Sequence, residues 1–132
     1  MKVLVLGGDG FCGWPCAVNL ADQGHEVLII DNLSRRKIDI DLEVESLTPI
    51  SSIGERLQAW EQLGGKPMRF VHMDIAHEYQ RLLDLLIEER PDSVVHFAEQ
   101  RAAPYSMKSS ATKRYTVCLL YTSDAADEER GV

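Results

Sequence analysis

The chain has 132 residues, 45% of them hydrophobic and 27% charged, with a net charge of -7. That is enough for one domain with a real core, and a balance of that sign excludes a dominant basic face and with it nucleic acid as a partner. No apolar run is long enough for membrane insertion, the first residues enter a strand without a leader, and three cysteines fit no disulfide framework, so a reducing cytoplasm is the expected home.

In chain order, "KVLVL" (2–6) is a continuous apolar run closed by glycine, which predicts a buried parallel strand. From Gly13 to about Gln23 the pattern is helical, with Ala17, Leu20 and Ala21 on one face, Pro15 in the first turn and Gly24 at the stop. "EVLII" predicts a second strand that ends at Asp31. The polar stretch 32–50 reads as a loop. Ser51 or Ser52 can cap a helix that runs to about Leu63, places Trp60 in the core and stops at Gly64 and Gly65. "MRFVHM" predicts a third strand, followed by Asp74. A helix from about His77 to Glu89 would bury Leu82, Leu83, Leu86 and Ile87 and end before Pro91. "SVVHF" predicts the fourth strand, and a last helix begins after Met107.

This alternation specifies an α/β protein with a parallel sheet. Right-handed crossovers then predict the strand order 3-2-1-4, the first half of a Rossmann-type doubly wound fold. The final stretch, "CLLYTSDAADEERGV", differs in character, and its opening letters resemble the translated read-through of a sequencing-library adapter. The expected organisation is therefore a cofactor-binding domain over 1–117, the N-terminal part of something longer, and a read-through tail over 118–132.

"GGDGFCGW" (7–14) lies between the first strand and the first helix. A phosphate-binding turn needs glycine for a sharp bend, for close approach of backbone to pyrophosphate, and for tight helix–strand packing. Gly7, Gly10 and Gly13 supply these, and Phe11, Cys12 and Gly13 stand at the helix start, where free N–H groups and the helix dipole favour an anion. Asp31 lies close to the roughly 20-residue spacing expected of the carboxylate that accepts ribose hydroxyls. That carboxylate points to NAD. Arg35 and Arg36 behind it argue for NADP, or else for adenosine or diphosphate contact or a solvated loop, and Asp31 at the strand tip decides for NAD. Asn32 and Ser34 belong to the same cofactor loop. Asp74 can reach the adenine amino group or cap the next helix, while Ile75 offers a backbone N–H. Phe97 and Ala98 end the fourth strand beside the pyrophosphate. His96 is read as a buried, hydrogen-bonded strand residue. Cys12 and Cys16 are read as packing residues, since two thiols without further partners make a poor metal site.

The glycine spacing and the Asp31 tip resemble the extended short-chain dehydrogenase/reductase superfamily, which includes the NAD-dependent epimerases and dehydratases. Within it, "GGDGFCGW", "DNLSRR", "ESLTPISSI" and "PDSVVHFAEQRAAPYSM" are similar to the UDP-sulfoquinovose synthase family of sulfolipid biosynthesis. "ESLTPI" and "EQRAAPYSM" carry the distinction from general nucleotide-sugar epimerases, while Pro15 and Ala98 depart from the family's alanine and glycine. The resemblance implies NAD as cofactor and UDP-glucose and sulfite as substrates. The implied reaction is oxidation of the sugar at carbon 4, loss of water across carbons 5 and 6, sulfite addition at carbon 6, and return of the hydride. It carries Gln100 and Arg101 over as substrate contacts, with a salt bridge as the other reading of Arg101, and leaves a homodimer open. The family's Tyr-x-x-x-Lys does not occur before residue 118, so no catalytic residue is assigned and the chain by itself is expected to be inactive. The rival readings are another NAD-dependent nucleotide-sugar epimerase or dehydratase, and a non-catalytic dinucleotide-sensing module.

Overall fold

A computed structural model describes residues 1–45, 47–99 and 107–117. Four strands, β1 (Lys2–Leu6), β2 (Glu26–Asp31), β3 (Arg69–His72) and β4 (Ser93–His96), form one parallel sheet in the order β3-β2-β1-β4. Four helices join them: α1 (Gly13–Asp22), α2 (Ser34–Asp41), α3 (Ile53–Gln62) and α4 (Tyr79–Glu89). Residues 110–117 are also helical, as expected behind Met107.

The continuous apolar strands explain the layering. Alternate residues point to opposite faces of a strand, so a run without polar breaks must be covered on both sides. Val3, Val5, Val27 and Ile29 pack with Ala17 and Ala21 of α1 and with Leu57 and Trp60 of α3. Leu4, Leu6, Leu28 and Ile30 pack on the other face with Met73 and with Leu82, Leu85 and Leu86 of α4. Each fully buried aliphatic side chain contributes about 1.5–3 kcal/mol. The two central strands hold most of them.

Ser52 is the N-cap of α3 and completes a capping box with Glu55, whose carboxylate also lies 2.8 Å from the Ser52 backbone nitrogen. Gly64 follows the helix in the left-handed region (φ 83°).

Three expectations need correction. The stretch 32–50 is not all loop, because Ser34–Asp41 forms α2. No residue of α2 is buried, and no apolar stripe marks it in the sequence. It is held at its N-terminal end. Asp31 Oδ1 accepts the Leu33 N–H at 2.7 Å and Asn32 Oδ1 accepts the Ser34 N–H at 2.9 Å, fixing Leu33 at φ 56°. Arg36 then ties the helix to Asp9 and to the carbonyls of Ile50 and Ser51.

The second correction concerns α4. It starts at Tyr79 rather than His77, because Asp74 closes a turn first by accepting the Ala76 N–H on Oδ1 and the His77 and Glu78 N–H groups on its carbonyl. Leu85, not Leu83 or Ile87, joins Leu82 and Leu86 against the sheet, and Ile87 is 69% exposed. Third, Cys12 is an exposed residue rather than a packing one, and both Cys12 and Cys16 are free thiols.

Candidate functional site

The C-terminal ends of the four strands meet at one end of the sheet. Chain order reverses between β1 and β4, and an open α/β sheet offers a crevice at such a switch point. A cleft of about 230 Å³ lies there. It is lined by Gly7 and Gly10 of the turn after β1, by Asp31, Asn32, Ser34 and Arg35 after β2, by Ile75 after β3, and by Phe97 and Ala98 after β4. Nine of the residues singled out from the sequence therefore share one wall or another of a single cleft. Asp9, Glu99 and Tyr115 also line it, and sequence reasoning did not assign them.

The turn leaves no room for side chains at its two ends. Gly7 adopts φ 79°, and a Cβ there would stand 2.6 Å from the Ala98 nitrogen. A Cβ on Gly13 would run into the Gly7 carbonyl, so α1 starts in direct contact with the end of β1. Phe11 and Cys12 are exposed at the head of α1, and together with Gly13 and Asp74 they lie outside the cleft lining.

Asp31 is fixed by two backbone donors. Its Oδ2 accepts the Asp9 N–H at 2.9 Å and its Oδ1 accepts the Leu33 N–H at 2.7 Å. Burial pushes its carboxyl above the usual carboxylate value. The two N–H groups pull it back, and the nearby Asp9 charge adds to the rise. A carboxylate whose charge the protein compensates incompletely is suited to accept further donors, such as a pair of hydroxyls.

Across the cleft, Asn32 Nδ2 donates to the Tyr115 hydroxyl oxygen at 2.6 Å, joining the helical segment 110–117 to the loop after β2. Burial, with the Asp74 charge next, pushes the Tyr115 phenol up to about 12. Asp74 does not cap α4, whose N-cap is Glu78; its Oδ1 closes the turn before the helix by accepting the Ala76 N–H, and its other oxygen lies 3.1 Å from His77 Nδ1.

Asp9, left unexplained in the sequence, is the buried charged residue of the turn, 5% exposed. Both Arg36 and Arg56 pair with it, and the Arg56 guanidinium lies 4.4 Å over the Trp14 ring. Arg36 is thus held by Asp9 and is not among the residues lining the cleft, whereas Arg35 is. The only advance sign of this cluster was an acid among glycines. Its partners lie 27 and 47 residues away, beyond any local pattern.

His96 needs a further correction. Both its ring nitrogens are enclosed, and neither has a hydrogen-bond partner among the described residues. Gln100 and Arg101, expected to contact substrate, and the tail 118–132 lie outside the described residues. Among the described residues no cluster of three His, Cys, Asp or Glu is placed to hold a metal ion, and no helix is long and apolar enough to cross a membrane.

Comparison with known proteins bears on this geometry. The model of the NAD dependent epimerase/dehydratase family matches residues 3–121. The chloroplastic UDP-sulfoquinovose synthase of Spinacia oleracea is 44% identical over 115 residues, which is 87% of this chain and 24% of that protein. UDP-sulfoquinovose synthase of Sulfolobus acidocaldarius is 43% identical over 117 residues, 89% of this chain and 30% of that protein. Among solved structures, UDP-glucose-4-epimerase from Stenotrophomonas maltophila with bound NAD and formylated UDP-arabinopyranose superposes with a TM-score of 0.64 at 27% identity. That match covers 96% of this chain and 34% of the epimerase. The chain thus spans about a quarter to a third of the length of these three proteins.

Proposed function

The chain belongs to the NAD dependent epimerase/dehydratase family, and from that premise we propose that its cleft holds NAD and that the whole protein is a UDP-sulfoquinovose synthase, converting UDP-glucose and sulfite to UDP-sulfoquinovose. The observation that carries the cofactor reading is the junction of Gly7, Gly13 and Ala98 beside the Asp31 carboxylate. Backbone packed that tightly leaves a surface of main chain at a helix head, which is what a pyrophosphate needs. NAD, when bound, supplies a hydride acceptor and later a hydride donor. Asp31 would accept the adenosine ribose hydroxyls and, by its charge, disfavour a 2′-phosphate. Ile75 would give the adenosine side of the cleft an apolar wall, and Phe97, next to Gly7, would lie on the pyrophosphate side.

The narrower reading rests on "ESLTPI" and "EQRAAPYSM" together with the two synthase relatives. It takes Gln100 and Arg101 as substrate contacts. A guanidinium fork matches the oxygens of sulfite, sulfonate or phosphate, and an ammonium does not. Calorimetric titration of the chain with NAD and NADP tests the first reading, with NAD preferred. For the second, the full-length protein should convert UDP-glucose only when sulfite is supplied. Arg101→Lys in that protein should keep the melting temperature and lose turnover. Sulfite-independent epimerisation of UDP-glucose would favour the epimerase reading, and binding of NAD with no turnover of any UDP-sugar would favour the sensing module.

A further inference from the structure

The cluster of Asp9, Arg36 and Arg56 has no role in the function described so far, yet it adjoins the ribose carboxylate. Asp9 donates its N–H to Asp31 Oδ2 at 2.9 Å. Its own carboxylate, 3% exposed, receives a two-pronged bond from Arg36, Nε to Oδ2 at 2.9 Å and Nη2 to Oδ1 at 2.8 Å. Arg56 adds a further bond to Oδ1. Arg36, so paired, is not among the residues lining the cleft, whereas Arg35 and Asp9 itself are.

Arg36 lies in the first turn of α2, directly behind the strand tip, and its charge is felt at Asp31. A guanidinium fork fits a phosphate as well as it fits a carboxylate. A free Arg36 at this place would therefore welcome a 2′-phosphate. We infer that Asp9 is a second determinant of cofactor choice: by holding Arg36 it withholds that guanidinium from the cleft, so that a dinucleotide with a free 2′-hydroxyl is accepted and one with a 2′-phosphate gains no contact from Arg36. The inference rests on the reading that the cleft holds NAD. Specificity of this kind is a difference of two affinities, and withholding a favourable contact from the wrong ligand is one way to build it.

The test is titration of the purified chain and its variants with NAD and with NADP, with folding followed by thermal melting. Asp9→Asn removes the charge and keeps the shape. It should raise NADP affinity and narrow the NAD-to-NADP ratio by about tenfold, a change expected for one released guanidinium–phosphate contact. Asp9→Asn with Arg36→Ala should restore the original ratio. Arg36→Ala alone leaves Asp9 paired with Arg56, and should keep NAD affinity and the rejection of NADP. This arm stands even if the Asp9 variant does not fold. A folded Asp9→Asn variant with an unchanged ratio overturns the inference. So does a gain that survives Arg36→Ala, or a tenfold loss of NAD affinity in Arg36→Ala alone. A wild-type chain that binds neither dinucleotide overturns the cofactor reading and the inference together; a wild type that prefers NAD separates the two.

Discussion

Asp31 and Gly13 show what single residues contribute to the cleft. Asp31 carries two backbone donors and retains lone pairs for a ligand. Asp31→Ala should weaken NAD binding by about 1–3 kcal/mol, the cost of leaving hydroxyl partners unmatched. Calorimetry would show it, together with a smaller gap between NAD and NADP, and an unchanged NAD affinity would reject the ribose assignment. Gly13 has a different task. Its Cβ would meet the Gly7 carbonyl, which is backbone and cannot rotate away. Gly13→Ala should cost about 1–3 kcal/mol or more, as overpacking does, and should lower the thermal midpoint. Both residues were legible in the sequence because their signals are local: a glycine triplet between strand and helix, and an acid at a strand tip. Asp9 was not. Its meaning lies in two arginines that approach from separate helices, and nothing near it in the sequence points to either.

At the scale of elements, all four strands could be read from the sequence: β1 and β2 as continuous apolar runs, and β3 and β4 as shorter apolar pairs, Phe70–Val71 and Val94–Val95, between polar residues. The α3 start was legible to within one residue, as Ser51 or Ser52; the structure makes Ser52 the N-cap, and Glu55 three residues on completes a capping box that the sequence expectation left out. Ser52→Ala should therefore cost about 1 kcal/mol, measured as a shift in the urea midpoint. The second helix escaped because it has no buried face. Its anchors all lie at its start: the Asp31 and Asn32 side chains before it and Arg36, in its first turn, on Asp9. In α4 the period was right and the phase was off by one position. Leu85 packs on the core while Ile87 stands in solvent. The two side chains separate the alternatives cleanly. Leu85→Ala should cost roughly 1–3 kcal/mol through lost burial, and Ile87→Ala no more than about 0.5 kcal/mol. Chemical denaturation of both variants would tell them apart, and a larger loss in Ile87→Ala than in Leu85→Ala would return α4 to the orientation expected from the sequence.

On the scale of the whole molecule, the two ends of the sheet have different work. The cleft occupies the C-terminal ends of the strands. The N-terminal ends are joined by charge: Glu89 at the end of α4 takes a two-pronged bond from Arg69 at the start of β3, at 2.6 and 2.7 Å, and a third from Lys2 at the start of β1, at 3.1 Å. Glu26 at the start of β2 joins both cations, and Asp92 accepts the Lys2 backbone N–H. Strand order was legible in advance because crossover handedness constrains it, whereas this network, with Lys2 and Glu89 far apart in the chain, was not. The bonds from Arg69, then Lys2, hold the Glu89 carboxyl down to about 2, below its ordinary value of 4.5. The sign of the consequence follows. The folded state binds this proton less readily than the unfolded chain, so the contribution is complete above pH 4.5 and is lost as pH falls through that value toward about 2. Glu89→Gln cannot ionise and lacks the contribution at every pH. The wild type should therefore be the more stable of the two near neutrality, by a modest margin because Arg69 is half exposed and water screens the pair. The margin should close on acidification, and it should shrink in high salt. Since the network lies at the far end of the sheet from the cleft, NAD affinity per folded molecule should not change. Urea midpoints of both proteins across that pH range, with NAD titration near neutrality, check the three expectations together. A margin that persists at about pH 2 would show that the carboxylate charge is not what joins the strand starts.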